Sequence, residues 1–250
     1  MIIKEIKTKI KVVTNINKLT NTLSMISMSK MNKYYKFLFI LNQLFKESRF
    51  IYFLIYKKRS NLNCLVIITS NKGLCGNINN EILKKSINFI KNNLIDIFLI
   101  GKKSIEFFIK KNIFVKDKII FKENEKIFNI FFNDNIIKRF INYKNIFFIN
   151  SKFDNKIKIC KTNLLITEKK SFYEKFNFDN YNFFKKFFNY SLKNFFIENF
   201  FCELKSRMIT MKSASDNSKK ILKNMKISKN KVRQFKVTQE MLEIINGSSL

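Results

Sequence analysis

The first glycine of this 250-residue chain is Gly73, and no proline occurs anywhere in it. Roughly 58 residues therefore precede the Asn61–Asn63 break with no helix breaker, and at about 1.5 Å per residue such a helix would be ~87 Å long. Apolar residues recur at Ile3, Ile6, Ile10, Val13, Ile16, Leu19, Leu23 and Ile26, then Met31, Tyr34, Leu38, Leu41 and Phe45. Steps of three and four are the stripe of an amphipathic helix. A small globule cannot cover a helix of that length, so it needs a lengthwise partner. The other end of the chain supplies one. From about Tyr181 to Asn246 there is again no Gly or Pro, with apolar positions at Phe184, Phe188, Phe195, Phe201, Leu204, Met208, Met211, Leu222, Met225, Val232, Phe235, Leu242 and Ile245. This stripe thins at Ser213, Ala214, Ser215 and Ser218, and the first helix has its own small stretch at Ser24, Ser27 and Ser29. Small residues on both sides let two backbones approach closely. The pattern predicts an antiparallel pair of terminal helices; the alternative is two separate surface helices on a globule.

Between the helices the period changes. Cys64–Thr69 reads as a buried strand, followed by a turn at Asn71–Gly76 and a helix from Ile78 to Asn92, with Asn77 as its cap and Glu81 near its positive end. Ile95–Ile100 reads as a strand, Ser104–Lys111 as a short helix, Ile113–Phe121 as strand-like and Glu125–Tyr143 as helical. Asn145–Asn150 is a further strand and Lys156–Thr167 an extended stretch, with residues 168–180 as a connection. Strands alternating with helices predict an α/β domain with a mainly parallel sheet covered on both faces. The expected division is residues 1–60 and 181–250 as paired helices around a central domain at 61–180.

Charge is a poor guide to function here. Lys and Arg number 49 against 18 Asp and Glu, a formal charge of +31, which would ordinarily point to phosphate binding. The basic residues are nearly all Lys, Ala214 is the one alanine, and the abundant types have codons rich in A and T. Compositional drift explains this pattern, whereas a protein selected to grip phosphate keeps the bidentate fork of Arg. With no His in the chain, His-based acid–base catalysis, Ser-His-Asp triads and His-containing metal sites are excluded. Cys64, Cys75, Cys160 and Cys202 form no CxxC pair, so no zinc cluster is expected and the thiols are read as free and partly buried. The apolar runs fall short of a membrane span and the amino terminus shows no export signal, so a soluble, cytoplasmic chain is expected.

Two segments bear on function. The Gly73-Leu74-Cys75-Gly76 turn stands where an α/β fold binds phosphate, yet it lacks both the three-glycine dinucleotide fingerprint and the Gly-Lys-Ser/Thr of a P-loop. It reads as a tight structural turn needing two unhindered backbones, with Cys75 a small packed residue that no His can activate. The carboxy-terminal run Lys231–Ile245 mixes Arg233 with Gln234, Thr238, Gln239 and Glu240 in a chain that has almost no Arg.

Several segments together resemble the gamma subunit of the F-type ATP synthase. They are Ile6–Ile10 with Asn15 through Ser29-Lys30-Met31; Ser70-Asn71-Lys72-Gly73-Leu74-Cys75-Gly76-Asn77; and Glu203–Asn217 with Arg207-Met208, Met211-Lys212 and Asp216-Asn217, followed by Asn230, Arg233-Gln234, Thr238-Gln239-Glu240 and Glu243-Ile244. The resemblance implies a long antiparallel coiled coil of the terminal helices with a Rossmann-like domain at its foot. It further implies a non-catalytic rotor shaft without cofactor or metal, one copy per complex. The shaft would sit in the cavity of a hexamer of alpha and beta subunits, with the foot against the epsilon subunit and the membrane rotor ring. It would lie peripherally on the cytoplasmic side of the inner membrane. By the same resemblance Arg233, Gln234, Thr238, Gln239 and Glu240 contact the beta subunits, while Met25, Lys30 and Met31 lie near the neck, facing an acidic beta-subunit loop. The absence of an added Cys pair and of a transit peptide favours the bacterial type. Two other classes remain as alternatives: a basic coiled-coil nucleic-acid-binding protein, and an α/β enzyme using the Gly73–Gly76 turn.

Overall fold

A computed structural model of the chain describes residues 2–55, 62–121, 134–164 and 180–247. By compactness the chain divides into two units, Met1–Ser27 with Arg207–Leu250, and Met28–Ser206. The terminal helices, α1 (Ile2–Ile55) and α5 (Asn180–Gly247), each contribute residues to both.

In the first unit the two helices run antiparallel. Asn17 donates to Ser215 and Ser218, and Ser24 donates to the Met208 carbonyl, so rising numbers on α1 meet falling numbers on α5. The covered positions of α1 include Ile3, Ile6, Ile10, Val13, Asn17, Thr20, Ser24 and Ser27, with Thr14 and Leu23 half-buried beside them. Those of α5 include Met208, Met211, Ser215, Ser218, Leu222, Met225, Lys229 and Val232, with Arg207, Thr210 and Ala214 half-buried beside them. Both series step alternately by three and four, a heptad seam with a 3.5-residue period. From Asn17 onward the seam departs from the apolar stripe expected at Ile16, Leu19 and Ile26. Ile16 is 48% and Leu19 59% exposed, while small polar residues hold the interface. The physical reason is proximity. Asn17 reaches the Ser215 carbonyl at 2.7 Å and the Ser218 hydroxyl at 2.7 Å, which only short side chains on the facing helix permit.

The second unit is built on a five-stranded sheet in the order β3-β2-β1-β4-β5. Its strands are β1 (Asn63–Ile68), β2 (Asp96–Ile100), β3 (Asp117–Ile119), β4 (Asn145–Asp154) and β5 (Lys156–Asn163). The pairs β3–β2, β2–β1 and β1–β4 are parallel, and β5 closes the edge as an antiparallel hairpin with β4. β1 is buried throughout its apolar run, as a central parallel strand must be. One face packs Cys64, Val66, Ile68, Phe98 and Phe148 against α4 (Asp134–Phe140), Phe45 of α1 and the Phe184–Ile197 stretch of α5. The other packs Leu65, Ile67, Leu99 and Ile149 against α2 (Ile78–Lys91) and Phe108 of α3 (Lys102–Lys110). The mainly parallel α/β sheet covered on both faces is thus as expected.

Several boundaries differ from the sequence reading. β3 is three residues rather than the whole of Ile113–Phe121. Asn112, at a positive φ of 51°, turns the chain out of α3, and the Ile113 N–H is still taken by the Phe108 carbonyl, so the segment reaches β2 only at the Lys116 N–H, which bonds the Ile97 carbonyl. β4 runs on to Asp154, past the expected Asn150, because its hairpin with β5 turns at Asn155, at φ 56°. The part of the predicted helix before Asp134 and most of the 168–180 connection lie outside the described residues.

Candidate functional site

The glycine-containing turn leaves the carboxyl end of β1, beside the switch point between β1 and β4 where doubly wound sheets bind ligands. Its polar groups are turned inward. The Ser70 hydroxyl donates to the Lys72 carbonyl at 2.6 Å. Asn79 accepts from the Ser70 N–H at 3.2 Å and donates to the Ser70 hydroxyl at 2.7 Å and to the Cys75 sulfur at 3.2 Å. Asn71 donates to the Phe121 carbonyl and accepts from the Lys102 N–H, tying the turn to the start of α3. From α5, the Ser206 hydroxyl donates to the Cys75 carbonyl at 2.7 Å. Cys75 is buried, as its expected role as a packed residue requires.

The two glycines do different jobs. Gly76 takes a positive φ of 65°, but Gly73 does not, and a Cβ built on Gly73 would meet nothing within 4 Å. The second left-handed residue is Leu74, at φ 62°, an exposed apolar side chain held at the tip. The expected cap also differs. The Asn77 side chain makes no cap bond and donates instead to Glu81 at 3.3 Å. The residue that organises the turn is Asn79, which sequence reasoning missed. An asparagine one residue inside a helix that opens from a glycine turn is a short-range signal for such side-chain-to-backbone bonding.

The residues expected to contact partners stand on the two terminal helices. Met25 and Lys30 are exposed and Met31 is half-buried. Arg233, Gln234, Thr238, Gln239 and Glu240 are all exposed on α5. Thr238 bonds back to the Gln234 carbonyl, Gln239 donates to Glu243, and Lys236 pairs with Glu240 at 3.3 Å. Met25 and Arg233–Glu240 belong to the first unit, with Arg233 15 residues past Ser218, ~22 Å along the helix, while Lys30 and Met31 belong to the second. The heptad seam ends at Val232 and every residue from Arg233 to Gly247 is exposed. Phe235 is 72% and Ile244 71% exposed, joined by Val237, Met241 and Leu242. Phe235, Leu242 and Ile245, which spacing alone groups with the packed stripe, are instead exposed, past the last covered position of α5.

Among the described residues no group of three or more Cys, Asp or Glu is placed to hold a metal ion, and no helix is long and apolar enough to cross a membrane. At the opposite end of the sheet, Asp96, Lys116 and Tyr143 bond to one another. Burial raises the Asp96 carboxyl, but the bonds from Lys116 and Tyr143 outweigh it and hold the group below its ordinary value. Burial, followed by the bond to Asp96, pushes the Tyr143 hydroxyl up to about 12.

Residues 2–249 match the family described as ATP synthase. The ATP synthase gamma chain of Buchnera aphidicola subsp. Acyrthosiphon pisum (strain Tuc7) is 31% identical over 285 aligned positions, covering 98% of this chain and 97% of that one. That of Mycoplasma mycoides subsp. mycoides SC is 28% identical, covering 99% and 98%. Among solved structures, a chain of the Euglena gracilis mitochondrial ATP synthase OSCP/F1/c-ring assembly in rotational state 3 superposes with a TM-score of 0.78 at 16% identity, covering 99% of this chain and 93% of that one. A chain of the Tetrahymena thermophila mitochondrial ATP synthase central stalk and c-ring gives 0.60 at 22% identity, covering 79% and 99%. With the turn signature, the paired terminal helices and a match along nearly its whole length, the chain belongs to the ATP synthase gamma-chain family.

Proposed function

We propose that this chain is the central rotor shaft of an F-type ATP synthase, transmitting ion-driven rotation of a membrane ring to catalytic beta subunits without performing chemistry itself. The observation that carries this reading is the end of α5, where a helix continues past its coiled-coil seam with every side chain exposed and apolar and polar residues intermixed. An isolated globule has no use for such a helix, and burying it needs a partner that surrounds it. A cavity in a hexamer of alpha and beta subunits fits that need. Arg233, Gln234, Thr238, Gln239 and Glu240 are then exchangeable polar contacts to successive beta subunits, and Met25, Lys30 and Met31 contacts near the neck.

In this reading residues 1–60 and 181–250 are the shaft and 61–180 the foot, resting on the epsilon subunit and the ring. One copy serves each complex, and the chain sits peripherally on the cytoplasmic side of the inner membrane. The inward-turned bonds of the Gly73–Gly76 turn favour a structural role over a nucleotide cradle. The test is co-purification from cells expressing the tagged chain. The expected result is an assembly with alpha- and beta-type subunits whose ATPase activity is lost when this chain is removed. Recovery of the chain alone, or of an assembly whose activity does not depend on it, overturns the reading.

A further inference from the structure

The seam between α5 and β4 in the second unit holds a carboxyl group that nothing above employs. Glu198 is 3% exposed. Its carboxyl stands 3.6 Å from the Lys152 ammonium, accepts at 3.5 Å from the Asn150 amide, and is bonded by Asn42 of α1. One residue on, Asn199 clasps β4, accepting from the Ser151 N–H at 3.1 Å and from its hydroxyl at 2.8 Å. Around this clasp two buried side-chain oxygens lack a donor, Asn150 Oδ1 on β4 and Asn194 Oδ1 on α5. Asn194 precedes Glu198 by four residues, so the two side chains are neighbours on one helix face.

A buried oxygen without a donor is costly; that of Asn194 belongs to a side chain one helical turn from Glu198, whose neutral form carries a hydroxyl, and that of Asn150 to a side chain whose amide already reaches the carboxyl. We propose that Glu198 is a proton-binding switch in the α5–β4 seam: ionised, it leans on Lys152; protonated, it donates to Asn194 Oδ1 and tightens the clasp at Ser151. Burial raises the Glu198 carboxyl above its ordinary value, while Lys152, Asn150 and Asn42 oppose the rise. Among the described residues, Lys152 of β4 is the charged group acting on it directly. Also packed near the seam are Cys160 of β5, paired across the ladder from Asn150, Cys202 of α5, which burial pushes up to about 12, the buried Glu203 of α5, Lys205 of α5 over the Phe153 ring, and Tyr34 and Tyr35 of α1 against Phe200 and Phe201. Cys202 stays neutral while Glu198 changes state, and Lys205 acts on Cys202 rather than on the carboxyl. Because the folded-state value is raised, the stabilisation is full below the ordinary glutamate value of about 4.3 and is lost as pH rises through the folded one.

The test is a carboxyl-carbon NMR titration of the full chain, with urea denaturation of the native chain and Glu198→Gln between about pH 7 and about pH 5. Glu198 is expected to titrate above about 4.3. The denaturation midpoint of the native chain is expected to rise relative to Glu198→Gln as pH falls. Lys152→Gln, at the exposed rim, is expected to move the titration further up, since it removes the charge that favours the ionised form. Should Glu198→Gln fail to fold, the titration of the native chain and of Lys152→Gln still decides. A titration at or below the ordinary value, a midpoint difference that is flat or falls with acid, or a downward shift or none in Lys152→Gln overturns the proposal.

Discussion

At Gly101 the backbone takes φ +102°, and a Cβ built there would stand 2.2 Å from the Thr69 carbonyl oxygen. The close approach is itself functional packing. Thr69 N–H donates to the Ile100 carbonyl, and the Thr69 hydroxyl accepts from the Ser104 N–H at 2.9 Å, so the end of β1 is bonded to the start of α3 across this glycine. Gly101→Ala should therefore destabilise the chain by more than ~2 kcal/mol in urea denaturation. Gly73→Ala, at a position with open space and no positive φ, should change stability by about 1 kcal/mol or less, in the stabilising direction. An equal loss at both positions would refute this assignment of the left-handed residue. Tyr143 gives a second residue-scale outcome. Its hydroxyl is raised to about 12 by burial and by the bond to Asp96, so its contribution is complete below the ordinary value of about 10 and is lost as pH climbs toward 12. A tyrosinate absorbance step near 12 that disappears in Tyr143→Phe, with a smaller alkaline loss of stability in that variant, is the expected result.

At the scale of elements, the coiled coil shows where sequence periodicity succeeds and where it slips. Steps of three and four predicted two long helices, and both formed across nearly the expected spans. Along the α1 seam the apolar stripe was correct from Ile3 to Val13 and again from Met31 to Phe45. Between them Leu23 is half-buried but Ile16, Leu19 and Ile26 face outward and the seam runs one residue later, because hydrophobicity tracks the seam only where large apolar residues fill it. Where the helices close on Asn17, Thr20 and Ser24, the interface is hydrogen-bonded, and Ile16 and Leu19 face outward. The same blindness hid Glu198, Asn199 and Asn79, whose roles depend on partners distant in sequence or on a turn's geometry. The Gly73–Gly76 turn was legible because its residues are consecutive. Substitutions can check the seam register. Asn17→Ala removes the amide that donates to both the Ser215 carbonyl and the Ser218 hydroxyl and should cost about 1–3 kcal/mol for the two bonds. Ser215→Leu should cost about 1–3 kcal/mol by overpacking. Ile16→Ser and Leu19→Gln should each lie within ~0.5 kcal/mol of the native chain. Thermal or urea unfolding with the larger losses at Ile16 and Leu19 would return the seam to the stripe.

For the whole molecule, the decisive contrast is between charge, which is everywhere, and cover, which ends abruptly on α5. Lysine is spread along both units, so its distribution distinguishes no face, and a nucleic-acid role gains nothing from it. The boundary at Val232 is sharp: before it, every third or fourth residue is covered; from Arg233 to Gly247, none is. Soluble proteins seldom leave an apolar surface of several large side chains in water unless another molecule covers it. Phe235, Leu242 and Ile244 therefore contribute little to the stability of the chain, and the proposed shaft role gives them their part in assembly. Replacing all three with Ser should leave the urea midpoint of the isolated chain nearly unchanged, within about 0.5 kcal/mol for each exposed site. The same variant should recover less alpha- and beta-type subunit in co-purification and lower the ATPase activity of what is recovered. A chain that loses stability but assembles normally would show that the tip packs within its own molecule. One that keeps both would show that the exposed apolar residues are incidental to the role of this helix.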